Sequence, residues 1–224
     1  MMTSILNLIG AIAASVSTSG DSPMVSVVTL EDKGSTIAVR DANGNGRLDL
    51  IQVEAAGFGY RFMLADGTYP PVFDTFLSWP NEHMAWDIVD IDGDGSSEVV
   101  TLSSAGEVRV WHPDESGEFG EGELLLESKS YLPHGITRMR FVRDVNGDEQ
   151  ADLVLPAAGL FRIHLQGAEG SWKESFEIEY EADVDYRMGD PKRLDSRFGQ
   201  SLRIPWFSME DVDGDGSTDL VSQT

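Results

Sequence analysis

The segment DVDGDGSTDL, Asp211 to Leu220, sets four carboxylates and two glycines within nine residues, directly ahead of an apolar run. Carboxylates held a few ångströms apart without a partner repel and raise one another's pKa, so the segment asks for a compensating charge. The same pattern stands three times upstream without gaps, as DANGNGRLDL from Asp41, DIDGDGSSEV from Asp90 and DVNGDEQADL from Asp144. The four starts are separated by 49, 54 and 67 residues. Position 1 is Asp41, Asp90, Asp144 and Asp211; position 3 is Asn43, Asp92, Asn146 and Asp213; position 5 is Asn45, Asp94, Asp148 and Asp215. Position 9 is acidic throughout, as Asp49, Glu98, Asp152 and Asp219.

More than the loop repeats. Gly57 and Gly106 lie 16 residues after the first Asp of their loops, and Gly159 lies 15 after. Short apolar runs flank loop and glycine alike: TIAVR, MAWDIV, MRFV and IPWFSM before the loops, and YRFML, EVRVW and LFRIHL after the glycine turns. The unit therefore reads as strand, acidic loop, strand, glycine turn, strand and a weaker fourth strand, clearest in ELLLESKSYL and SFEIEYEADV. The apolar runs are short and bounded by Gly, Asp and Pro, with no helical periodicity outside the first residues. A four-stranded antiparallel unit of about 50 residues cannot bury both faces alone. Radial repetition of that unit gives a β-propeller; a β-sandwich of the same strands leaves the recurrence of one loop chemistry unexplained. The fold class expected is all-β, a β-propeller of four-stranded antiparallel blades, partial or open, with about three full blades and a partial fourth.

Side-chain oxygens at positions 1, 3 and 5 of a tight loop converge on one centre. Glycines at positions 4 and 6 allow the curl because they accept positive φ. A main-chain carbonyl at position 7 and the acid at position 9 complete an oxygen-only set of about six to eight, which suits calcium better than magnesium. An EF-hand is excluded, since that loop closes on Glu at position 12 between helices, and position 12 here is Gln52, Thr101, Leu155 and Ser222. The bland alternative for each loop is a solvated Asp/Asn/Gly turn.

These residues resemble the FG-GAP/VCBS repeat family, integrin-α-like propellers whose blades carry a D-x-[DN]-G-[DN]-G-x-x-D calcium loop between their first two strands. The resemblance runs over roughly residues 35 to 224. It implies calcium ligands at positions 1, 3, 5 and 9 with the position-7 carbonyl: Asp90, Asp92, Asp94, Glu98 and the carbonyl of Ser96; Asp211, Asp213, Asp215, Asp219 and that of Ser217; Asp144, Asn146, Asp148, Asp152 and that of Gln150; Asp41, Asn43, Asn45, Asp49 and that of Arg47. Affinity follows ligand charge. Loops two and four carry four carboxylates each; loop three carries three, with Glu149 in place of the position-6 glycine; loop one carries two, with Arg47 inside it. The expected order of filling is two and four, then three, then one, for two to four Ca2+ ions in all.

Composition narrows the partners. The 224 residues include 39 acidic and 16 basic ones, a net charge of -23, which argues against nucleic acid. There is no cysteine, which excludes disulfides, zinc–cysteine sites and thiol nucleophiles. His83, His112, His134 and His164 are scattered and read as structural or surface residues; no nucleophile, zincin or phosphate-loop motif occurs. Trp86 and Trp206 read as core, and Trp79 and Trp172 as the tryptophans free to stack on a sugar. Residues 1–20 read as a signal peptide, apolar from Ile5 to Ala14 but without a basic start, and residues 21–224 as the repeats. No other run is long enough for a membrane span. The last repeat has 14 residues where the others need at least 49, which reads as a truncated propeller whose open edge invites pairing; the strand MVSVVTL, residues 24–30, is offered to complete its last blade. The function expected is a calcium-binding, non-enzymatic module, secreted or at the cell surface, for adhesion or for binding a protein or glycan ligand. Its alternative is the propeller scaffold of a larger secreted enzyme acting on polysaccharide, and a structural spacer is the blandest option.

Overall fold

The structure is a computed structural model. It describes residues 12–17, 24–29, 36–79, 82–113, 118–130, 137–157, 159–167, 170–180, 183–187, 199–203, 206–214 and 219–223. Strand is the only extended secondary structure among them, as the short bounded apolar runs predict, and no helix among them is long and apolar enough to cross a membrane. Strands β1 (Ile12–Ser17) and β2 (Met24–Thr29) pair antiparallel in a sheet of their own. β2 falls within the segment offered above to finish the last blade, and its partner is β1.

The first full sheet runs β3 (Thr36–Arg40), β4 (Asp49–Glu54), β5 (Gly57–Arg61) and β6 (Thr75–Ser78), each antiparallel to the next. The acidic loop joins β3 to β4, and the glycine turn joins β4 to β5. The second sheet has β7 (His83–Val89), β8 (Glu98–Ser103), β9 (Glu107–Trp111) and β10 (Glu123–Glu127) in sequence order. A fifth strand, β11 (Thr137–Arg138), lies parallel to β7, with Thr137 opposite Ala85. The chain then leaves that sheet and enters the third as β12 (Val142–Arg143), followed by β13 (Asp152–Ala157), β14 (Leu160–Gln166) and β15 (Trp172–Glu179). Two hairpins follow: β16 (Asp183–Arg187) with β17 (Gly199–Arg203), and β18 (Trp206–Glu210) with β19 (Asp219–Gln223). The expected unit of strand, acidic loop, strand, glycine turn, strand and outer strand is therefore present three times, and its first hairpin a fourth.

Burial follows strand position. The second strands DLIQVE, EVVTLS and DLVLPA are buried along almost their whole length, on both faces of the sheet, which is why they read as unbroken apolar runs rather than alternating ones. The outer strands β6 and β10 are mostly exposed. By contact the chain divides into two compact units. In the first, Leu50, Ile51, Phe58, Tyr60 and Leu77 are buried together with Ala38, and Trp79 packs on Phe58 at 4.5 Å between ring centroids. In the second, Val100, Leu102, Val108, Phe141, Leu153 and Leu155 form one cluster, and Val154, Phe161 and Ile163 another. Truncating a fully buried leucine such as Leu102 to alanine is expected to cost about 2–5 kcal/mol.

Candidate metal centre

Each acidic loop is curled by the residues that the spacing singled out. Gly44, Gly93, Gly147 and Gly214 at position 4 have φ between 68° and 77°, and Gly46 and Gly95 at position 6 have 78° and 93°. Glu149, the one non-glycine at a described position 6, is held at φ 65°. The position-1 carboxylate gathers the amides of the curl. Asp41 accepts from Asn43 at 3.3 Å, Asn45 at 3.2 Å and Gly46 at 2.6 Å. Asp144 accepts from Gly147 at 2.7 Å, Asp148 at 3.2 Å and Glu149 at 2.9 Å. Asp90 and Asp211 take the position-4 amides of Gly93 and Gly214, both at 2.7 Å.

Position 5 fixes the next peptide. The side-chain oxygens of Asn45, Asp94 and Asp148 accept the amides of the position-7 residues Arg47, Ser96 and Gln150 at 2.8, 2.7 and 2.9 Å. At position 3, Asn43 takes the Asn45 amide at 3.3 Å and Asn146 the Asp148 amide at 3.0 Å. In the third loop the side-chain amides of Asn146 and Gln150 also donate to Asp148 Oδ2, at 3.0 and 3.1 Å, and with the Gln150 main-chain amide they hold that carboxyl below its ordinary range.

Position 9 is the deepest acid. Asp49 and Asp152 are fully buried, and Glu98 is 4% exposed. Asp49 Oδ2 accepts the position-2 amide of Ala42 at 3.0 Å and its Oδ1 the amide of Met63 at 2.7 Å. Asp152 repeats the arrangement with Val145 and Gln166, both at 2.9 Å, and Asp219 takes the Val212 amide at 3.0 Å. In both complete cases the second donor lies 14 residues downstream, just past or at the end of the third strand of the unit, so one carboxylate clasps loop and sheet together. Burial pushes the Asp49 and Asp152 carboxyls up, and the amides that they accept pull back against that rise.

Two loops bring three acids together. Asp90, Asp92 and Glu98 each place a carboxylate oxygen within 4.8 Å of the others, and so do Asp211, Asp213 and Asp219. Calcium–oxygen bonds run about 2.3–2.6 Å, so two oxygens on opposite sides of one calcium stand about 5 Å apart, and both clusters lie within that span. Positive φ at position 4 and an all-oxygen donor set agree with the same hard cation. These are the loops with the most carboxylates, the two placed first by charge. Asp94 sits on the β7–β8 loop without joining its trio, and the acids of the third loop form no such trio among the described residues. Asp215 and Ser217 lie outside the described residues.

Some features escaped the sequence. The amides of Met63 and Gln166 are distant in sequence from the acids that they bind, and only their shared offset of 14 residues was there to be found. Trp79 and Trp172 differ from expectation. Trp79 is half-buried and donates its indole N–H to the Glu54 carbonyl at 2.9 Å, and Trp172 packs against the core of the third sheet's unit. Both positions read as open loop because of their sequence neighbours Pro80 and Gly170. Trp86 is buried as expected. His164 is buried, with its Nε2 3.1 Å from the Ser128 hydroxyl, and His112 is exposed; His134 and the Trp206 side chain lie outside the described residues.

Comparison with known proteins places a family on part of this frame. Residues 90–155 match the model of the FG-GAP-like repeat; that span opens on the first acid of the second loop and closes inside β13, past the whole third loop. No curated protein matches the chain. Among solved structures, a lectin of Agrocybe aegerita that specifically recognises non-reducing terminal N-acetylglucosamine aligns over 95% of this chain, at 16% identity and a TM-score of 0.53. This chain spans 60% of that lectin chain's length. At that identity the likeness speaks for the fold, which is the propeller-type arrangement of antiparallel sheets. The Tc holotoxin pore of Photorhabdus luminescens aligns over 94% of this chain and 12% of its own, at 17% identity and a TM-score of 0.30.

Proposed function

Proceeding from the FG-GAP-like repeat at residues 90–155, we propose that this chain is a calcium-stabilised propeller module that binds a protein or glycan ligand outside the cell and catalyses no reaction itself. The observation that carries the reading is the pair of three-carboxylate clusters, Asp90 with Asp92 and Glu98, and Asp211 with Asp213 and Asp219. In each, the calcium would be held by those acids and would offset charge that the hairpin concentrates. Its role is structural: it pins the curl of a hairpin, and in the second loop that hairpin's second strand, β8, is the buried centre of a sheet. Extracellular calcium modules bind in the range of about 10⁻⁴–10⁻³ M, a supply found outside cells, and this supports the extracellular placement.

A glycan is the favoured ligand class because the lectin with a similar fold recognises a terminal N-acetylglucosamine. The net charge of -23 disfavours nucleic acid. Calorimetric titration of the chelator-treated protein with calcium, followed by a glycan array in calcium, tests both halves. The expected results are at least two ions per chain and calcium-dependent retention of a glycan. Titration without heat and an unchanged melting temperature would remove the calcium half; an array and a protein pull-down both blank in calcium would leave only the spacer.

A further inference from the structure

We propose that the first acidic loop takes no calcium and that Arg47 supplies its positive charge from within the chain. The inference rests on the calcium reading of the second and fourth loops only for its comparison. Loop one offers two carboxylates, Asp41 and Asp49, against four each in loops two and four. Both accept main-chain amides, Asp41 those of Asn43, Asn45 and Gly46 and Asp49 those of Ala42 and Met63, as Asp211 and Asp219 accept those of Gly214 and Val212, so the loops differ in charge and not in this bonding.

Met63 joins the two charged groups through its main chain. Its N–H donates to Asp49 Oδ1 at 2.7 Å, and its carbonyl accepts from Arg47 Nε at 3.0 Å. One residue thus binds both the deep carboxylate and the guanidinium, and Arg47 acts on Asp49 as a nearby positive charge. The residues after β5 fold back over this loop, closed by the Tyr69 hydroxyl on the Leu48 carbonyl at 2.6 Å. No other loop has a cation at position 7, where Ser96, Gln150 and Ser217 stand. An arginine stays protonated at every working pH, so it can act as a permanent counter-ion. Two acids and one guanidinium leave the loop at -1, too little charge to strip water from a divalent cation with mostly neutral donors.

The test counts calcium per chain by native mass spectrometry in chelator-calibrated buffer. Asp41→Asn is expected to leave the count unchanged, whereas Asp213→Asn lowers it by one. Arg47→Ser combined with Asn43→Asp and Asn45→Asp is expected to raise it by one. A count lowered by one in Asp41→Asn would overturn the proposal. A second measurement does not depend on calcium at all. In chelator and low salt, Arg47→Gln is expected to lower the melting temperature by about 2–4 °C, a loss that shrinks as salt screens the charge; an unchanged melting temperature would overturn the proposal. If neither Asp41→Asn nor Asp213→Asn alters the count because no ion binds anywhere, the calcium reading fails, and Arg47 is still judged by its melting temperature.

Discussion

Glu149 holds a left-handed backbone where the first and second loops use glycine. For a residue with a Cβ this conformation costs about 1 kcal/mol, so Glu149→Gly is expected to stabilise the protein by about that amount in urea titration, the looser unfolded chain offsetting part of it. The buried position-9 acids work in the opposite direction. Asp152→Ala strands the amides of Val145 and Gln166 and is expected to cost about 2–4 kcal/mol, a loss read in the same titration. Asp87 makes a third case, away from the loops. It is buried on β7, accepts the Ile88 amide at 2.9 Å, and has Arg138 and Arg140 as its nearby charges. Burial raises its pKa above the ordinary value. A carboxyl raised in the folded state contributes stability below its unfolded pKa and loses it as pH rises through the folded value. The stability of the wild type relative to Asp87→Asn is therefore expected to grow as pH falls from 7 to 3, and a flat or inverted difference in denaturation midpoints would contradict this. At this scale the sequence spoke clearly where chemistry is local. The glycines at positions 4 and 6 predicted positive φ, and Glu149 stood out as the exception. It was silent where one partner is far away, as with the amides of Met63 and Gln166.

Between strands, the recurring glycine turn has a use beyond curvature. A Cβ on Gly106 would stand 1.7 Å from the Ser128 carbonyl oxygen, and one on Gly57 would stand 2.0 Å from that of Leu77. The end of the outer strand is laid against the turn, through Ser128 N–H to the Gly106 carbonyl at 2.8 Å and Trp79 N–H to that of Ala56 at 3.1 Å. Gly159 has the looser version, with the Tyr180 oxygen 3.9 Å from its would-be Cβ. Gly106→Ala is accordingly expected to cost about 3 kcal/mol or more, through strain and lost strand docking, and Gly159→Ala only about 1 kcal/mol; equal losses in calorimetry would refute the ranking. The second strands, and the third strands of the second and third repeats, were legible because their apolar content matches their burial; the first repeat's third strand is Gly57–Arg61, and YRFML overlaps it only at Tyr60 and Arg61. The first repeat's outer strand was not legible, because TFLS is short and follows the long excursion after β5. MRFV, residues 139–142, was read as one strand, but β11 ends before it at Arg138 and β12 begins only at its last residue, Val142; Met139 bonds to Trp86 of the second sheet and Val142 pairs with the third, and no periodicity within a segment records that.

For the whole molecule the lever is charge. One calcium in each of the two carboxylate clusters would change the net charge from -23 to -23 + 4 = -19. On the proposed reading calcium binds the folded hairpins and not the open chain, so saturating calcium at a hundred times its dissociation constant is expected to stabilise by about 2.7 kcal/mol per site. Scanning calorimetry in chelator and in millimolar calcium checks it; melting temperatures that coincide would count against any ion. The repeat architecture was legible from the spacing of the loops. The contact between consecutive repeats was not, because spacing gives the period and never the partner.

That contact has its own consequence. The stretch from Thr137 to Arg143 is bonded on one side to the second sheet, through β7 and through Met139 N–H to the Trp86 carbonyl at 3.1 Å. On the other side it is bonded to the third, through β13 and through Val154 N–H to the Phe141 carbonyl at 2.8 Å. Neither sheet can let go of this stretch without fraying the other. In deuterium-labelling experiments their innermost amides are therefore expected to become labelled at one shared rate, as a single cooperative block, although each sheet is encoded by its own stretch of sequence.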